Sequence, residues 1–128
     1  MARLRKGLID DLVAISNQVR YYVASLRRRL LIVSFRDRWL RNFYLSNRGS
    51  KKIPSEIEDR LFRKLQLIDD ATCDLDLRSP PSNHFEKLKG RLAGKHSIRV
   101  NKQWRLVFEW SGERGEAREI YLDNHDYR

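Results

Sequence analysis

The stretch from Glu86 to Arg105 concentrates the side chains that could do chemistry. It holds Lys87, Lys89, Arg91, Lys95, Arg99, Lys102 and Arg105 against a single acid, Glu86. A lone carboxylate among cations suits a general base working beside a bound anion, and it suits a surface ion pair equally well. Ser97-Ile98-Arg99-Val100 and Trp104-Arg105-Leu106-Val107-Phe108 alternate in the two-residue period of half-buried strands. With Asn101-Lys102-Gln103 as a hairpin loop, Val100 faces Trp104 and Arg99 faces Arg105. Like charges directly opposite one another repel. Either Glu109 or Glu119 neutralises the pair, or the two guanidinium forks grip an anion such as a phosphate. An RNA phosphodiester would bring its own nucleophile, the 2′-hydroxyl. The protein would then need a base, cations for the developing phosphorane and an acid for the departing 5′ oxygen, and no metal.

Other chemistries find little support. His84, His96 and His125 show neither HxH nor HExxH spacing, so no metal site is expected. His96 stands at the start of a strand, where it could stack on a base or simply pack. No P-loop, GxGxxG or GxSxG pattern occurs, which removes nucleotide cofactors and the hydrolase elbow. The single cysteine, Cys73, excludes an intramolecular disulfide framework and fits a reducing cytoplasm. The terminal cluster His125-Asp126-Tyr127-Arg128 either lies against the sheet or frays.

The elements that must position these residues follow from periodicity. The 128 residues carry a formal net charge of +10 and 41% hydrophobic residues, a globular composition that favours a polyanionic partner. No apolar run is long enough to cross a membrane. Residues 1–30 carry seven basic and two acidic side chains. Within them, Leu8, Leu12, Ile15, Val19, Val23, Leu26 and Leu30 form the seam of a helix over 8–30. Leu31–Phe35 reads as a first strand. A helix follows, capped by Ser34 or Asp37, carrying the i,i+4 pairs Trp39/Phe43 and Leu40/Tyr44 and stopped by Asn47-Arg48-Gly49-Ser50. A second begins near Pro54-Ser55 with a Ser55/Glu58 capping box, buries Ile57, Leu61, Leu65 and Ile68, and ends near Thr72. Beyond Pro80-Pro81 the period turns to strands, with a turn at Gly112–Gly115 and a last strand over Glu119–Leu122. Helices followed by an antiparallel meander define an α+β fold.

The segment from Pro80 to Phe108, above all Gly94-Lys95-His96-Ser97-Ile98-Arg99-Val100-Asn101-Lys102-Gln103-Trp104-Arg105-Leu106-Val107-Phe108, closely resembles the HigB toxins of the RelE/ParE superfamily. The resemblance extends to Ile32–Asp37 and to Asp126-Tyr127, about residues 31–128 in all. It implies two helices packed on a small twisted antiparallel sheet, preceded here by an extra N-terminal helix. Residues 1–30 would then be a basic helical extension, or an upstream reading-frame extension, and 31–128 the toxin domain. It also implies a cytoplasmic, cofactor-free, ribosome-dependent mRNA endoribonuclease that inhibits translation and is silenced by a HigA-type helix-turn-helix antitoxin. Carried over by position, Glu86 matches the general base, Lys89 a phosphate-contacting lysine, Arg99 and Arg105 the transition-state arginines, and Tyr127 the C-terminal aromatic. Lys87, Arg91, Lys95, His96, Lys102 and Arg128 join them as RNA contacts. Many relatives end in Asp-Tyr-His, whereas this chain ends in Asp126-Tyr127-Arg128. Arginine stays protonated and donates a proton poorly, so His125 with Tyr127 takes the general-acid role in this expectation. A weakened or non-catalytic RNA-binding relative and a ParE-like gyrase inhibitor are the competing outcomes.

Overall fold

In the computed structural model, residues 32–124 are described. The helix anticipated over 8–30 and the terminal residues 125–128 lie outside them. Three helices, α1 (Arg38–Ser46), α2 (Glu58–Asp70) and α3 (Asp74–Arg78), precede four strands: β1 (Glu86–Lys87), β2 (Lys95–Arg99), β3 (Trp104–Ser111) and β4 (Glu116–Asn124). The strands form one antiparallel sheet in the order β1-β2-β3-β4. This is the α+β arrangement that the alternating pattern calls for.

Local signals account for most of the boundaries. Asp37 is the N-cap of α1 in extended conformation, although its carboxylate makes no capping hydrogen bond and lies 3.9 Å from Arg36 Nε instead. Asn47 closes the helix in the left-handed region, which asparagine tolerates. The anticipated Ser55/Glu58 capping box does not form. Ser55–Ile57 make a 3₁₀ turn and Glu58 is already the first residue of α2, leaving no side-chain cap. The helix ends at Asp70, and the short α3 was not foreseen. The anticipated strand at Leu31–Phe35 is reduced to two parallel bridges, Ile32 to Ala117 and Phe35 to Ile120, along the outer side of β4.

The core lies between the helices and one face of the sheet. Leu40, Leu61, Leu65, Ile68, Leu77, Ile98, Leu106, Phe108 and Ile120 are fully buried there. At one end, Gly115 (φ +62°) is required: a Cβ would sit 2.8 Å from the Thr72 carbonyl oxygen, too close for any side chain.

A β-bulge interrupts β3–β4. Val107 pairs with Tyr121 and Glu109 with Arg118, so Glu119 and Ile120 together oppose Phe108. Glu119 adopts φ +53°, and its backbone N–H donates to Ser34 Oγ at 2.9 Å, while that hydroxyl lies 3.2 Å from Glu119 Oε1. The segment ahead of α1 thereby holds the bulge from outside.

Candidate active site on the charged face of the sheet

The β2–β3 turn sets the geometry of the site. Asn101 Oδ1 accepts hydrogen bonds from the backbone N–H groups of Gln103 (2.8 Å) and Trp104 (2.7 Å), and Val100 N–H donates to the Trp104 carbonyl at 2.8 Å. An asparagine folding the chain onto its own backbone in this way is a turn mechanism written in the sequence. It locks the register from Lys95 opposite Glu109 to Arg99 opposite Arg105. Residues directly opposite in an antiparallel pair share a face. Arg99 and Arg105 therefore project from the same side of adjacent strands, as the hairpin arithmetic requires.

The carboxylates that offset Arg105 differ from those anticipated. Arg105 Nη1 is 3.6 Å from Glu86 Oε1 and its Nε donates to Asp123 Oδ2 at 3.4 Å. Glu109 instead pairs with Lys95 at 3.7 Å, and Glu119 lies at the bulge beside Ser34. Glu86 reaches the site from the two-residue strand β1, where it stands opposite Ser97. Asp123 arrives from β4, directly opposite Arg105.

The Arg105 side chain is only 13% exposed while Glu86 is 57% exposed. The guanidinium is thus held between two acceptors, and the Glu86 carboxylate keeps an open side toward solvent. The floor beneath them is closed: Ser97, Val107 and Tyr121 on this face are buried. The Arg36 guanidinium lies 3.6 Å above the Tyr121 ring, and Lys95 Nζ lies 6.0 Å from it. Sequence reasoning missed Asp123, Arg36 and Tyr121. Asp123 and Tyr121 carry the alternation signal of a strand, but the bulge hides which face they take.

Not every anticipated residue joins this cluster. Alternation sends Lys87 and His96, which pair with each other across β1–β2, to the opposite face. There the His96 ring stacks on Phe85 with centroids 5.2 Å apart and planes 9° apart, and its Nδ1 is buried without a hydrogen-bond partner among the described residues. Burial pushes the imidazole below its ordinary range, with Asp74 opposing and Lys87 reinforcing. Lys89 and Arg91 are exposed around the 3₁₀ turn at Gly90–Leu92 that links β1 to β2. Lys102 is exposed at the hairpin tip. His125, Tyr127 and Arg128 lie outside the described residues.

A carboxylate with a solvent-open side, beside a fixed guanidinium and a second arginine on the next strand, can accept a proton from a hydroxyl while the cations hold the anion that hydroxyl attacks. A small α+β domain with this face is built as a RelE-like toxin is. Residues 33–125 match the HigB-like toxin family, described as the RelE-like toxin of the type II toxin–antitoxin system HigB. The chain belongs to this family. It is 50% identical over 97 residues to Toxin HigB-1 of Vibrio cholerae serotype O1 (strain ATCC 39315 / El Tor Inaba N16961), covering 76% of this chain and 100% of that protein. It is 44% identical over 93 residues to an uncharacterized protein of Haemophilus influenzae (strain ATCC 51907 / DSM 11121 / KW20 / Rd), covering 73% of this chain and 90% of the relative. Among the described residues no helix is long and apolar enough to cross a membrane.

Proposed function

We propose that this type II toxin is a ribosome-dependent, metal-independent endoribonuclease that cuts mRNA, with residues 31–128 as the toxin domain. The observation that carries this is the Glu86–Arg105 ion pair at 3.6 Å with Arg99 in register on the adjacent strand. Glu86 takes the proton of the 2′-hydroxyl, the 2′ oxygen attacks the adjacent phosphorus, and Arg99 and Arg105 bind the non-bridging oxygens as negative charge builds. The 5′ oxygen leaves, giving a 2′,3′-cyclic phosphate and a 5′-hydroxyl end. His125 and Tyr127 supply the proton for that oxygen, an imidazole being suited to transfer near neutral pH. Lys89, with Arg91 and Lys95, contacts flanking phosphates. The ribosome presents the strand, and a HigA-type helix-turn-helix antitoxin binds the toxin and silences it in the cytoplasm.

Mapping of RNA 5′ ends after brief induction tests this, together with cutting by purified protein on programmed ribosomes. Cuts within translated messages that vanish with Glu86→Gln support the mechanism. Growth arrest without any cut, or unaltered cutting by Glu86→Gln, defeats it.

A further inference from the structure

A second basic site lies where the end of the β2–β3 hairpin meets α2. A cavity of about 660 Å³ opens there. Arg60, Arg63 and Lys64 line it from one face of α2, Arg99 and Lys102 from the hairpin, and His84 from the loop ahead of β1. Among the described residues no carboxylate contributes to its walls. Arg60, Arg63, Lys64 and Lys102 make no ion pair among the described residues.

One of these cations is also held in place. Lys64 Nζ donates to Asn83 Oδ1, and the Asn83 amide, fully buried, is itself fixed by donating to the carbonyls of Leu77 (3.2 Å) and Ser79 (3.1 Å). Burial, then Arg60 and Arg63, draws the Lys64 ammonium below the usual lysine range. Cations gathered without counter-charge repel, and a bound anion relieves that repulsion.

Arg99 lines this cavity and also stands opposite Arg105. One arginine thus belongs to both regions, an arrangement suited to a polymer with repeated phosphates. Among the described residues Leu67 and Val100 are the only apolar walls, too few to anchor a protein segment through buried side chains. The His84 ring offers a surface on which a base can stack. The geometry points to this cavity as a binding site for the phosphates of an RNA strand, separate from the cluster around Glu86 and Arg105. It deepens the endoribonuclease proposal and rests on it.

The test compares the full chain with Arg60→Gln/Arg63→Gln, both positions being exposed. Two probes are titrated: an eight-nucleotide RNA carrying 2′-O-methyl groups, which cannot be cut through the 2′ oxygen, and vacant ribosomes. Affinity for the oligomer is expected to fall about tenfold, with a salt dependence shallower by roughly one to two phosphate contacts. Lys102→Gln at the hairpin tip provides a second variant if the first is misfolded. Loss on both probes, or on the oligomer alone, assigns the cavity to the message strand. Loss on ribosomes alone assigns it to ribosomal RNA. Undiminished binding to both probes overturns the site. Intact RNA binding with loss of a co-expressed antitoxin also overturns it, in favour of an acidic protein partner. Because the oligomer cannot be cut, the cavity can stand where cleavage fails and fall where cleavage persists.

Discussion

Arg105 lies between two carboxylates, whereas Arg60, Arg63 and Lys64 line a cavity that contains none among the described residues. The two regions meet at Arg99, yet they are built for different tasks. A guanidinium held on both sides keeps one orientation before any substrate arrives, and its field is partly cancelled by the groups that hold it. That is the arrangement expected where charge develops at one point in a transition state. In the proposed RNA site Arg60, Arg63 and Lys64 make no ion pair among the described residues, an arrangement that favours capture of a polyanion without fixing where on it chemistry occurs. On this reading orientation and attraction are supplied chiefly by different cations, with Arg99 common to both.

The sharpest way to break this contrast is Arg105→Ala. Loss of one fixed donor to a developing oxyanion should slow cutting on ribosomes by roughly 10²-fold or more, about 2.7 kcal/mol. The far-ultraviolet circular dichroism and the unfolding midpoint should be little changed. Cutting at the parental rate would show that the balanced cluster has no part in the chemistry.

Asn83→Leu tests the frame behind the cavity. It strands the Leu77 and Ser79 carbonyls and deprives Lys64 of its acceptor. A loss of about 2 kcal/mol in urea unfolding is expected, the scale of buried polar groups left unpaired. A value near zero would mean that this loop is not what fixes Lys64.

Asp123→Asn keeps the shape but removes the charge that aims Arg105. A fall in kcat of about tenfold with KM nearly unchanged is expected, smaller than removal of Arg105 itself. A change confined to KM would place Asp123 in binding instead.

The smallest effect concerns the face of the sheet opposite the Glu86–Arg105 cluster. The folded His96 imidazole titrates below its unfolded value of about 6.5, chiefly through burial. The unfolded chain therefore takes up this proton first. The contribution of His96 to stability is present above pH 6.5 and is lost as pH falls toward the lower folded value. Thermal unfolding across that range should show a shallower acid decline for His96→Phe than for the parent.

Legibility in the sequence followed the local signals. The hairpin was fully readable because Asn101 turns the chain and the alternation on both sides runs without a break. The partners of Arg105 were not: Glu109 and Glu119 are nearer in sequence, but Glu86 and Asp123 are brought in by the outer strands, and pairing between strands leaves no local trace. The capping box failed because Ser55 is spent on a 3₁₀ turn. The cavity does leave a trace in the sequence, since Arg60, Arg63 and Lys64 share the three- and four-residue spacing of one helix face.

The bulge at Glu119 has a consequence for chain length. Before it, Glu116 and Arg118 stand opposite Ser111 and Glu109. Beyond it, Tyr121 and Asp123 stand opposite Val107 and Arg105. The even-numbered positions thus hand over the charged face to the odd-numbered ones at that point. Removing Glu119, the extra residue, would leave Arg118, Ile120 and Tyr121 opposite Glu109, Phe108 and Val107, so strict alternation would return with Asp123 still facing Arg105 and Leu122 still in the core. What the extra residue supplies is the left-handed kink at φ +53° and the N–H bond to Ser34 Oγ, so its deletion would spare the charged face and release the segment ahead of α1 from the bulge.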